Sequence, residues 1–296
     1  MAFNWQTFRT RTLSSIIFVG LMLAGLLWNQ WSFLVLFSLI HFGCWWEYLK
    51  LTEKIHQTSF HAYTKLGLMV MGYGLLLWFC GPAYQVNGYG LKENLSLPVS
   101  AAGFALLLLG IFQRKPVKLK AFGMAALGLL YISLSWGLMM DLAGFTTSLI
   151  YKNGMPINPK PFDYLHILIP LVVIISIWVN DTMAYLVGSM IGRTPLSKIS
   201  PKKTWEGTLG GIILCIIGIG YWFSGMTFNG QIWFIIAAIT AIAGVSGDLF
   251  ESKLKRMANV KDSGAIMPGH GGFLDRFDSL LFATPFVWLY IQLFIK

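Results

Sequence analysis

The chain has 296 residues, of which 56% are hydrophobic and only 11% charged, with a mean hydropathy of +0.65. Soluble domains carry about 25% charged residues, so this composition excludes an ordinary soluble protein and predicts an all-α, polytopic integral membrane protein. The net charge of +10 does not point to nucleic acid, because Lys and Arg collect in the cytoplasmic loops of membrane proteins as a matter of insertion.

Apolar runs long enough to cross a hydrocarbon core about 30 Å thick are read at nine places: 13–29, 31–47, 64–81, 98–113, 121–140, 165–188, 207–224, 231–249 and 279–295. The first follows Arg9 and Arg11 without a small-residue cleavage site, so it is expected to be a retained span and not a signal peptide. A minimal connection at Asn29-Gln30 predicts that spans one and two form a helical hairpin. Further breaks fall at Gly81-Pro82 and in the Asn153–Pro161 stretch with its three prolines. Cys44, Cys80 and Cys215 lie within or at the ends of apolar runs, at no metal-ligand or disulfide spacing, and read as small buried hydrophobes. The sequence has no internal repeat, which leaves a transporter built from visible halves without support. Residues 1–163, with five spans, are expected to provide scaffold, dimer and lipid contacts, and residues 164–296, with four, the catalytic region.

Charge tests this layout. With the N-terminus in the cytoplasm, 18 of the 22 Lys and Arg fall on the inner side, leaving only Lys92, Lys152, Lys160 and Lys296 outside. That imbalance predicts a cytoplasmic N-terminus and an external C-terminus. Nine of the 12 acids, namely Glu47, Glu53, Asp181, Glu206, Asp248, Glu251, Asp262, Asp275 and Asp278, fall on the same inner face. The positive-inside rule says little about acids, so their concentration asks for a separate cause.

The densest stretch runs from Ser246 to Asp278. Asp248 closes one apolar span, while Asp275 and Asp278 open the next at a spacing that shares a helix face. Carboxylates so placed form an oxygen-rich site suited to Mg²⁺, held by Asp248 and Asp275, with Asp181, Asp262 and Asp278 as further candidates. Gly271 and Gly272, beside His270, let backbone amides approach a ligand. Lys255, Arg256, Lys261 and Arg276 are suited to neutralising phosphates. Metal, glycine turn and basic ring together are what phosphoryl or nucleotidyl transfer needs, since that chemistry is mostly positioning and charge stabilisation. Two more elements lie on the same side. Asn180-Asp181 sits inside the sixth span, where a carboxylate at a helix centre costs at least ~2.5 kcal/mol and needs a partner or an ion. Ser200-Pro201-Lys202-Lys203-Thr204-Trp205-Glu206-Gly207 leads into the seventh; its lysines suit phosphates, and Ser200 and Thr204 suit either helix capping or phosphate contact.

The run Ser252-x-Leu254-Lys255-Arg256-x4-Lys261-Asp262-x-Gly264-x2-Met267-Pro268-x-His270-Gly271-Gly272-x-Leu274-Asp275-Arg276-Phe277-Asp278 resembles the signature of the bacterial phosphatidate cytidylyltransferases, or CDP-diacylglycerol synthases. Ser246-Gly247-Asp248, the Ser200–Gly207 segment and Asn180-Asp181-Thr182-x-Ala184-Tyr185 resemble that family too, so the likeness covers about residues 165–296. Met267 stands where the family usually has Leu, Ile or Phe. The resemblance implies about nine transmembrane helices, a homodimer in the cell inner membrane, and a polar cavity open to the cytoplasm. It also implies a divalent cation on the aspartates matching Asp248 and Asp275, with room for a second cation nearby.

The expected reaction transfers CMP from CTP to phosphatidic acid drawn from the membrane lipids, giving CDP-diacylglycerol and pyrophosphate. The lipid phosphomonoester is largely ionised near neutral pH (second pKa about 6), so His270 is read as a phosphate donor or loop organiser and not as an essential base. Lys202, Lys203, Lys255, Arg256 and Arg276 are expected to screen charge on the leaving group. The alternatives are a cytidylyltransferase for another lipid phosphate and, from a different class, a cation or proton transporter using Asp181 and Asp248. A CDP-alcohol phosphotransferase would need a ladder starting Asp-Gly-x2-Ala-Arg, which is absent.

Overall fold

The computed structural model describes residues 5–113, 118–152, 155–156, 167–225, 230–265 and 271–295. Met267, His270, most of the Asn153–Pro161 stretch, and Arg114, Lys115, Lys160 and Lys296 from the charge argument lie outside the described residues.

The helices are α1 (Trp5–Leu27), α2 (Gln30–His56), α3 (Ala62–Trp78), α4 (Leu91–Asn94), α5 (Ser96–Ile111), α6 (Leu119–Gly128), α7 (Ser135–Ile150), α8 (Leu168–Ile191), α9 (Trp205–Ser224), α10 (Gln231–Met257) and α11 (Leu274–Phe294). A π-helical segment, Leu129–Leu134, joins α6 to α7, and two hairpins of two-residue strands pair Gln85–Val86 with Tyr89–Gly90 and Tyr151–Lys152 with Met155–Pro156.

Among the described residues seven helical stretches are long and apolar enough to cross a membrane: α2, α4 with α5, α6 through α7, α8, α9, α10 and α11. The other two expected spans are also helical: α1 has 23 residues, with Ile16–Leu27 an apolar stretch of it, and α3 has 17, a little under the ~20 that a full crossing takes.

Helix ends depart from hydropathy ends. The second and eighth apolar runs stop at 47 and 249, yet α2 continues to His56 and α10 to Met257. Glu, Lys and Leu are good helix formers, so backbone hydrogen bonding outlasts the apolar pattern and carries Glu251, Lys255 and Arg256 on a helix. Asn29 explains the tight α1–α2 connection: its side chain accepts from the Ser32 amide at 2.8 Å, and the Ser32 hydroxyl accepts from the Asn29 amide at 3.0 Å.

The chain falls into two compact units, Met1–Gly144 with Met257–Phe277, and Phe145–Arg256 with Asp278–Lys296. In the first, Phe33, Phe37, Trp45 and Trp136 are fully buried. The Ser133 hydroxyl, in the π segment, accepts from the Trp45 indole at 2.8 Å and lies 3.0 Å from His41 Nε2. α3 and α5 touch backbone to backbone through small residues: a Cβ at Gly103 would stand 2.2 Å from the Met71 nitrogen. In the second unit α8 and α9 pack the same way, with a Cβ at Gly211 falling 2.7 Å from that of Ala184. The three cysteines are buried, as their apolar settings predict.

Candidate active site

The second unit gathers acids and lysines around α8, α10 and the start of α11. Asp248 lies on α10, Asp278 is buried at 6% exposure in the first turns of α11, and Asp181 is accessible on α8 beside the buried Asn180. Asp181 is within electrostatic reach of Asp248 and Lys203, and Asp278 is within reach of Asp248, Lys203 and Lys255. The Lys203 ammonium sits directly on the Asp248 carboxylate. Lys255 is ion-paired with Glu251 one turn earlier, a residue that is fully buried. Arg256 and Lys202 are exposed.

Local chain geometry delivers Lys203. The segment after α8 folds back on itself: the Leu196 amide donates to the Lys203 carbonyl at 2.7 Å, the Trp205 amide to that of Thr194 at 2.9 Å, and the Lys203 amide to that of Ser200 at 3.1 Å. Thr204 caps α9, its hydroxyl accepting from the Gly207 amide at 3.2 Å. Glu206 accepts from the Thr194 hydroxyl at 2.8 Å and from the Arg193 and Thr194 amides at 3.1 Å. Thr204 does cap α9, and Glu206 is engaged in holding this loop closed.

In the first unit the signature turn is organised around two carboxylates. Gly271 takes φ +83, a left-handed conformation that favours glycine. The Asp275 Oδ2 atom accepts from the Gly272 amide at 2.8 Å and from both the amide and the hydroxyl of Ser263 at 2.9 Å. Glu47, from α2, accepts from the Ser263 hydroxyl at 2.7 Å, the Leu274 amide at 2.8 Å and the Phe273 amide at 3.0 Å. Lys261, Asp262 and Arg276 are exposed around this turn.

Two participants, counted among the inner-face acids, were given no role by the sequence reading. Glu251 could have been found from its spacing, since a Glu four residues before a Lys is a favourable helical pair. Glu47 has no such signal; its only trace is an acid in the apolar run Cys44-Trp45-Trp46-Glu47-Tyr48.

Asp181, Asp248 and Asp278 are the residues here that could hold a divalent cation. Among the described residues no group of three or more His, Cys, Asp or Glu forms a ready-made metal cage. Mg²⁺ in phosphoryl-transfer sites is commonly bound through one or two carboxylates plus substrate phosphates, and Asp181, Asp248 and Asp278 supply carboxylates of that kind.

Seven helices long and apolar enough to cross a membrane point to a multi-pass membrane protein, one that brings several acids together with Lys203 and Lys255. Sequence comparison narrows this. The model of the cytidylyltransferase family matches residues 9–294, and the chain belongs to that family. It is 34% identical over 234 residues to a phosphatidate cytidylyltransferase of Staphylococcus saprophyticus, covering 75% of this chain and 89% of that protein. A Staphylococcus haemolyticus protein of the same name is 35% identical over 241 residues, with 74% and 91% covered. A third, from Synechocystis, is 40% identical over 131 residues, a stretch that spans 45% of the relative's length.

Proposed function

We propose that this chain transfers the CMP group of CTP to phosphatidic acid, forming CDP-diacylglycerol and releasing pyrophosphate. The observation that carries the reading is the gathering of Asp181, Asp248 and Asp278 with Lys203 and Lys255, in a member of a family whose relatives are named for this reaction.

A phosphate oxygen of the lipid attacks the α-phosphorus of CTP; a new P–O bond forms as the bond to the β-phosphate oxygen breaks. That bridging oxygen leaves with the electron pair as part of pyrophosphate. The lipid phosphomonoester is already ionised near neutral pH, so no side chain has to remove a proton. Lys203, Lys255 and the exposed Lys202 supply positive charge for the approach of two polyanions, which would otherwise repel. Asp181, Asp248 and Asp278 would hold the divalent cation, Mg²⁺ in this proposal. When bound, it would offset charge on the triphosphate oxygens. Asp275, also expected as a ligand, has Oδ2 bonded to Ser263 and Gly272. The reading further places the enzyme in the inner membrane as a homodimer, with CTP entering from the cytoplasm.

The test is incubation of purified protein with labelled CTP, phosphatidic acid and Mg²⁺. Label should become lipid-extractable only when all are present, EDTA should abolish it, and Mg²⁺ titration reports how many cations act. Ion flux through vesicles without lipid labelling would favour the transporter instead.

A further inference from the structure

Glu47 lies inside α2, one of the candidate spans, and is only 1% exposed. Charged groups within membrane-crossing helices are costly and persist where the structure uses them. Among the described residues the Glu47 carboxylate bonds to Ser263, Phe273 and Leu274: Oε1 takes the Phe273 amide, and Oε2 takes the Leu274 amide and the Ser263 hydroxyl. The two amides belong to the start of α11, where backbone donors have no partner within the helix and an anion is favoured. Space is kept for the carboxylate. A Cβ at Gly264 would stand 2.1 Å from it and one at Gly272 2.2 Å, so a side chain at either position would push it out.

A cap would need no more than this, but the contacts continue. The same Ser263 hydroxyl lies 2.9 Å from Asp275 Oδ2, and the Ser263 and Gly272 amides bond that same oxygen. α2 therefore fixes Ser263, and Ser263 fixes the Asp275 carboxylate. We infer that Glu47 is a positioning residue for the transfer reaction, acting through Ser263 to hold Asp275 and the turn before α11 in the reactive arrangement. The inference rests on the cytidylyltransferase reading above. Gln at this position keeps the shape but turns one acceptor into a donor facing other donors.

The test compares Glu47→Gln and Ser263→Ala with wild type in mixed micelles, by steady-state kinetics, thermal unfolding and amide hydrogen exchange. Glu47→Gln should lower kcat by at least about tenfold while moving KM for CTP and for the lipid by less than about threefold, as loss of an interaction made in the transition state requires. Exchange at Gly272–Asp275 should speed up by about tenfold or more as the turn opens. Ser263→Ala, the milder change, should lower kcat about threefold to tenfold with the unfolding temperature within about 2 °C of wild type. If Glu47→Gln does not accumulate, Ser263→Ala decides. Wild-type kcat in Ser263→Ala, or in folded Glu47→Gln, overturns the inference, as does a loss of activity that only tracks loss of folded protein. If wild type itself makes no CDP-lipid, the functional reading fails, and hydrogen exchange alone then decides whether Glu47 holds the turn.

Discussion

The Lys203–Asp248 pair is only partly screened from water, with side-chain exposures of 35% and 24%. Ion pairs in such settings contribute about 0–1 kcal/mol, so a triphosphate can displace the contact at little cost. Lys203→Met is expected to raise KM for CTP by about tenfold or more, since hydrogen bonds to charged groups contribute about 1.5–3 kcal/mol; initial rates across a CTP series measure it. Asp248→Asn keeps the shape but removes the charge. It should cost at least about a hundredfold in turnover, because loss of a metal's charge stabilisation amounts to several kcal/mol. Asp141→Asn, expected from the charge layout on the opposite membrane face, is the control and should stay near wild type. Wild-type turnover in Asp248→Asn would place the cation elsewhere. Asp248, Asp278, Lys203 and Lys255 were legible in the sequence because charge is rare in so apolar a chain, and each occurrence invites a question. Glu47 was not, because what gives it meaning is Ser263, Phe273 and Leu274, more than 200 positions away.

At the scale of elements, the apolar runs located helices well and their ends badly. Hydropathy reports where a helix leaves the lipid; the backbone ladder continues until a residue such as Gln57, at φ 47, turns it aside. The Ser200–Gly207 segment was legible as lysines suited to phosphates and candidate caps, but not the way the chain folds back before it, since that depends on Glu206 reaching back to Thr194. Thr204→Ala removes the cap of α9 and should cost about 1 kcal/mol of stability, visible as a lower unfolding temperature, with KM for CTP unchanged. A rise in KM without loss of stability would return Thr204 to phosphate contact. Gly211→Val tests the α8–α9 packing. Its added carbons meet Ala184 and the Asn180 carbonyl at under 3 Å, and overpacking of this kind costs roughly 1–3 kcal/mol.

At the scale of the whole molecule, the orientation expected from charge can be read with an impermeant maleimide. All three native cysteines are buried, so single introduced cysteines report against a quiet background. Lys198→Cys and Ala265→Cys, at exposed positions, should react only after the inner face is opened, and Lys92→Cys from outside. The reverse pattern would put the acidic site on the side without CTP. The Glu47 tie also has a consequence for how each copy is made. Its partners follow it by 216 to 227 residues, and synthesis proceeds at about 5–20 residues per second. For roughly ten to fifty seconds the nascent chain therefore holds a carboxylate in α2 whose hydrogen-bond donors have not yet been translated. Until α11 emerges, that group must be kept wet or sheltered by the insertion machinery. A chain that stops short of residue 263 keeps this carboxylate without those partners, chemically marked as unfinished.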